Sequence, residues 1–217
     1  MQGTIKQKEL LNQVYKCLKK YDENLKNKQV MFIIENKDKS IIMEEAYFPK
    51  SCYQHLTGIT IIEKKSGRKL NAYEFYDLLK NVTITVDKYE LKIKDMTTDL
   101  KLQALPQLME IDKMANMIGD FSEHNIFLQT EKIAGNVNAC MGFVKDEKKK
   151  LYLPNTALNK DIRDITKERS KIIAILKKDV NENLYKNITY LKKNCQIENL
   201  LENDDINKRI DIKSMRE

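Results

Sequence analysis

From Met117 onward the sequence breaks into short apolar runs, and that texture excludes an all-helical fold. Ile118-Gly119-Asp120-Phe121, Ile126-Phe127-Leu128, Asn138 to Val144 and Leu151-Tyr152-Leu153 are brief, and Gly, Asn or Asp separates most of them. Ile172 to Leu176 and Ile188-Thr189-Tyr190-Leu191 complete the series. The pattern predicts an antiparallel meander of about five strands.

The first half reads differently. Leu10, Leu11, Val14, Tyr15, Leu18, Tyr21 and Leu25 recur at helical spacings, which predicts a helix over 4–27 with Thr4 as its N-cap. Val30 to Ile34 and Ile41 to Phe48, separated by polar residues 36–40, predict a β-hairpin. Asn71 stands where a cap belongs, before Tyr73, Phe75, Tyr76, Leu78 and Leu79. Residues 82–94 alternate as a strand does, and Thr97-Thr98-Asp99 opens another helix in which Pro106 predicts a kink or a late start. The expected fold is α+β: a helical N-terminal half with a hairpin, then the meander sheet. One domain is expected over 1–196, with 197–217 as a C-terminal helix or loose tail.

Charge is concentrated as well as positive. The net formal charge is +7, yet residues 132–193 carry 15 Lys and Arg against 7 Asp and Glu, while 194–217 carry 4 against 6. A focused excess suits a polyanion, and a Lys-rich solvated face is the plain alternative. Cys17, Cys52, Cys140 and Cys195 are scattered, without metal-ligand spacing, so reduced thiols are expected. No apolar run reaches the roughly 20 residues needed to span a bilayer. The N-terminus has no signal-peptide core, so a cytoplasmic location without membrane contact is expected.

Chemistry concentrates in Phe48–Ile59, which gathers Lys50, Ser51, Tyr53, His55 and Thr57 in one turn-bounded segment. An imidazole, a fixed cation and hydroxyl donors are the groups that metal-free phosphoryl chemistry uses. No Walker loop, paired-cysteine zinc pattern or His-Glu-x-x-His helix competes with it.

Ordered blocks then carry a resemblance. They are Phe48-Pro49-Lys50-Ser51 with His55-Leu56-Thr57-Gly58-Ile59, Thr97-Thr98 with Lys101-Leu102 and Leu105-Pro106-Gln107-Leu108-Met109, and Met117-Ile118-Gly119-Asp120. Ala134 to Phe143, Pro154-Asn155-Thr156 and Asp161 to Thr166 follow. Over roughly residues 10–193 the chain resembles the phage-type barnase–EndoU–colicin–RelE-like nucleases, in particular their fourth subfamily from phage and mobile elements of Gram-positive bacteria. His124 lies outside the pattern.

The resemblance implies metal-independent RNA cleavage, in which the ribose 2′-OH attacks its own phosphate. One proton must then leave, another must arrive, and phosphoryl charge must be stabilised. His55 is the candidate acid or base, with Lys50, Arg163 and Thr57 beside it as catalytic candidates. Ser51, Tyr53, Thr97, Thr98, Asn138 and Lys145 are candidates for binding nucleic acid, Tyr53 by stacking on a base. Structural roles compete. Arg163 can pair with a neighbouring aspartate, Thr97 and Thr98 can cap a helix, and Gly135 and Gly142 can serve backbone geometry. Asp120, Asp164 and Glu45 are alternatives for a second proton-transfer group. No cofactor or metal is expected. The expected partner is RNA or another nucleic acid, with a host defence protein or antitoxin as the protein partner. The alternative function is a non-catalytic counter-defence protein of the same fold that binds nucleic acid or a host nucleoprotein complex.

Overall fold

The computed structural model describes residues 2–81, 84, 85, 87–93, 95–122 and 129–211. Helix α1 (Gln2–Asn24) begins ahead of Thr4, which therefore lies inside it. Its apolar stripe, Leu11, Val14, Leu18 and Tyr21, is buried as the spacing requires, as is Leu25 just past its end. Strands β1 (Lys28–Glu35) and β2 (Ile41–Tyr47) form the expected antiparallel hairpin. Helix α2 (Cys52–Thr57), strand β3 (Ile59–Glu63), helix α3 (Ala72–Lys80) and strand β4 (Tyr89–Ile93) follow. β4 pairs antiparallel with β3 in a separate two-stranded sheet.

Helix α3 shows why local sequence suffices for some elements. The Asn71 side chain accepts from the Tyr73 and Glu74 amides, and Glu74 returns a bond to the Asn71 amide. That reciprocal box satisfies donors that a helix start leaves open. Helix α4 (Asp95–Leu108) starts before Thr97 and runs through Pro106, so neither threonine occupies its first position. The short helix α5 (Ile111–Met114) leads into the second half.

There the predicted division into a helical half and a separate meander does not hold. Strands β5 (Met117–Phe121), β6 (Lys132–Gly135), β7 (Cys140–Asp146) and β8 (Leu151–Leu158) pair antiparallel in turn. β8 then meets β2 in parallel through Ala46 and Tyr152. Strand β9 (Thr166–Asp179) pairs along β1 with one edge. Its other edge pairs with β5 and then with β10 (Asn187–Leu191). The sheet order is β1-β2-β8-β7-β6-β5-β9-β10, and the β1–β9 pairing closes seven of the eight strands into a mixed barrel. The N-terminal hairpin is therefore part of the wall. The strand expected at Ile126-Phe127-Leu128 lies outside the described residues, as do His124 and part of 82–94.

Closure buries β1 on both faces. Val30, Phe32 and Ile34 join the main core with α1, α3 and α4, where Phe143 meets Phe32 and Phe48 edge-on. Met31 and Ile33 face the other way, into a second cluster with Ile173, Leu176 and Tyr185. Leu200, Ile206 and Ile210 complete that cluster from two short helices, α7 (Ile197–Leu200) and α8 (Asp204–Asn207), and the turn beyond. Tyr185 Oη donates to Glu45 at 2.7 Å, and Arg209 reaches the other carboxylate oxygen of Glu45 at 2.7 Å. Residues 212–217 lie outside the described residues. Among the described residues, no helix is long and apolar enough to cross a membrane.

Candidate functional site

Helix α2 is a single turn and a half, closed by Gly58 in the left-handed region at φ 69°, whose amide donates to the Gln54 carbonyl at 3.1 Å. Cys52, Tyr53, Leu56 and Thr57 form its buried face. Burying those four positions leaves His55 on the outward side, exposed to solvent.

Although its ring reaches water, the protein packed around His55 removes enough hydration to lower its pKa below the ordinary 6.5. Lys101 and Lys69 push in the same direction by charge. Lys101 is anchored there, donating to the His55 backbone carbonyl at 3.1 Å from helix α4. Thr98, one turn earlier, is buried and donates to the Gly58 carbonyl at 3.3 Å. The result is an accessible imidazole with a lowered pKa in a positive setting, on a helix that Lys101 and Thr98 fasten to its neighbour.

The other predicted residues do not gather around it. Lys50 sits ahead of α2 and pairs with both oxygens of Asp77 at 2.9 Å, over the rings of Tyr73 and Tyr76. Arg163 lies on helix α6 (Ile162–Ile165), where its guanidinium grips the Asp161 carboxylate at 2.7 Å. Asp161 also caps α6 by accepting from the Arg163 amide, so this pair organises its own turn. Among the described residues, no hydrogen bond or ion pair joins His55, Lys50 and Arg163.

Burial corrects two of the expected roles. Tyr53 has no exposed surface, and its hydroxyl donates to the Val14 carbonyl at 2.6 Å, so its ring has no free face for a base. Thr57 is equally buried, donating to the Gln54 carbonyl at 2.9 Å and accepting from the Ile59 amide at 3.2 Å. It fixes the end of α2. Ser51 holds the N-cap position without a side-chain cap bond, and Thr97 is exposed on α4. Asn138 is exposed in the β6–β7 turn, where its amide donates to the Asn136 side chain at 2.8 Å. Lys145 is exposed on β7, over the Tyr152 ring at 5.9 Å.

The alternatives for a second proton-transfer group are engaged elsewhere. Glu45 holds Tyr185 and Arg209, and Asp120 pairs with Lys132 at 2.7 Å. Asp164 is exposed on α6. Sequence reasoning assigns neither Lys69 nor Lys101 a role: Lys69 ends a basic stretch with the look of a solvated face, and Lys101 stands in a block that carries the resemblance but is given no chemistry. Among the described residues, no three His, Cys, Asp or Glu side chains gather as metal ligands.

A family model described as phage-Barnase-EndoU-ColicinE5/D-RelE like nuclease 4 matches residues 13–194. Searches of curated proteins and of solved structures returned no match.

Proposed function

We propose that this chain, which belongs to the phage-Barnase-EndoU-ColicinE5/D-RelE like nuclease 4 family, cleaves RNA without a metal, with His55 moving the proton of the attacking 2′-OH. The observation that carries this reading is the accessible imidazole on α2, a helix that Lys101 pins to α4, with its pKa lowered by surrounding protein and by the charges of Lys101 and Lys69. A neutral imidazole can accept a proton, and the two lysines, which add to the effect of burial on its pKa, also draw a phosphate toward it. Once the phosphate offsets their charge, the imidazolium is easier to form. Lys50 and Arg163 enter this scheme only by leaving Asp77 and Asp161 for a phosphate oxygen. DNA is not a substrate for such a step, because it lacks the 2′-OH.

Purified wild type and His55→Ala, incubated with RNA in EDTA, test the proposal. Wild type is expected to leave cyclic phosphate ends, and His55→Ala to be at least about a hundredfold slower, the scale of lost acid–base help. Equal rates overturn it. One observation favours the second reading, a non-catalytic counter-defence protein that binds nucleic acid or a host nucleoprotein complex. Asp120 and Glu45 are both held in ion pairs of their own, and among the described residues no hydrogen bond joins the His55 ring to an acidic side chain. RNA binding that weakens steeply with salt, without cleavage, is its signature.

A further inference from the structure

A second polar site lies at an open edge of the barrel, away from His55. Lys132 on β6 reaches across the interior to Glu44 on β2 at 3.5 Å, although β7 and β8 separate those strands in the sheet. On its near side it meets Asp120 at 2.7 Å. Burial alone disfavours its charge, yet the bond to Asp120 and the charges of Glu44 and Asp120 hold its pKa above the ordinary lysine value. These three groups edge a cavity of about 170 Å³ with apolar walls from Ile34, Ile42 and Ile118. Asn36 and Ser170, bonded to each other at 2.8 Å, stand at its mouth.

The cavity opens onto a basic rim. Asn36 and Ser170 also belong to an open groove edged by Lys37, Lys39, Arg169 and Lys171. Glu35 continues it into a larger cleft bearing Lys192 and Lys193. Lys39 pairs with Glu35 at 3.1 Å, and the charges of Lys192 and Lys171 also act on that carboxylate. Lys37, Arg169 and Lys171 form no ion pair among the described residues, and all three are exposed. Two strand irregularities border this region. The β1–β9 register shifts between Ile33 and Ile34, and the β5–β9 register between Gly119 and Phe121. Such bulges re-aim side chains at barrel rims.

We propose that the rim binds the backbone of single-stranded nucleic acid and that the cavity seats one base carrying an exocyclic amine. Cations along a groove follow phosphates. The cavity is smaller than a drug-sized pocket, so it takes a fragment the size of one base. Its isoleucines flank the flat faces, the Glu44 and Asp120 carboxylates accept from an amine, and Lys132 donates to a ring acceptor. Uracil has no amine to offer. This rests on the nucleic-acid reading above but is independent of His55.

Binding of 2′-O-methyl oligonucleotides about twelve residues long, followed by fluorescence anisotropy, tests it, since these cannot be cleaved by 2′-OH attack. Oligo-C is expected to bind about tenfold or more tighter than oligo-U, and Glu44→Gln to shrink that ratio. Arg169→Glu with Lys171→Glu is expected to weaken both oligonucleotides at least about tenfold and to flatten the salt slope by about 1.4. Lys37→Glu serves as a second, separate rim variant, and Lys88→Glu in the turn ahead of β4 is expected to change nothing. Unchanged binding in the rim variants overturns the proposal, as does equal affinity for oligo-C and oligo-U. A His55→Ala variant that cleaves like wild type removes the role of His55 and leaves this result standing.

Discussion

Gln13 Nε2 donates a 2.6 Å hydrogen bond to the carbonyl of Leu102, the acceptor that Pro106 leaves without its helical partner. Proline has no amide hydrogen, so the carbonyl four residues earlier must find a donor elsewhere. Helix α1 supplies one from a side chain 89 residues away. Gln13→Ala is therefore expected to cost about 1–2 kcal/mol. In a Pro106→Ala background, where residue 106 regains its amide, the same change is expected to cost less than half as much. A double-mutant cycle by urea denaturation measures this, and simple additivity would contradict it.

His55 gives a pH signature. Its folded pKa lies below the unfolded value of about 6.5, so below that pH the unfolded chain binds more protons. Wild-type stability relative to His55→Gln is therefore expected to fall as pH drops from about 6.5 toward 5, and to hold constant above about pH 7.5. Lys101→Gln is expected to raise the His55 pKa, read directly from the imidazole resonances in an NMR titration. A pKa that stays in place removes Lys101 from the electrostatic account.

Asp112 and Lys177 form the tightest buried ion pair among the described residues. Asp112 is fully buried, Lys177 meets it at 2.5 Å, and Lys177 also donates to the Asn24 carbonyl at 3.0 Å. One oxygen of Asp112 has no partner. Asp112→Ala leaves the lysine buried without its counter-charge, and a loss of about 3–5 kcal/mol is expected. Asp112→Leu with Lys177→Met removes both charges and is expected to recover most of that loss. Chemical denaturation of the three variants decides it.

Gly135 ends β6 where the chain turns back on itself. A Cβ there would stand 2.3 Å from the Ala139 carbonyl oxygen and 2.7 Å from the Cys140 Cα. Backbone on both sides cannot retreat, so Gly135→Ala is expected to cost about 2–3 kcal/mol. Gly67→Ala meets no atom within 4 Å, although its φ of 69° adds backbone strain. Thermal melting of Gly135→Ala below Gly67→Ala is the expected order.

Elements whose signal is local were legible in the sequence. The α1 stripe, the β1–β2 hairpin and the Asn71 cap each lie within a few residues, and the structure contains all three. Barrel closure was not legible, because pairing of β1 with β9 leaves no local mark on either strand. Tyr53 misled for a related reason. Its polar neighbours suggested a ligand, but with Leu56 it lies on the helical face that packs inward. Glu44 and Lys132 were missed because a charged residue in a short strand reads as solvent-facing. Only closure of the wall turns those two positions toward each other.

The pairing of β1 with β9 also dictates when the molecule can exist. Lys28 and Asp179, bridged at 2.6 Å, are 151 residues apart in the chain. During synthesis β1 therefore emerges early and waits, with one edge unpaired, until β9 has left the ribosome. Contacts of such separation form late and slowly. An exposed strand edge invites pairing with other chains meanwhile. A chaperone that held nascent chains through that interval, or a protease that cleaved them, would meet this protein before the barrel wall closes.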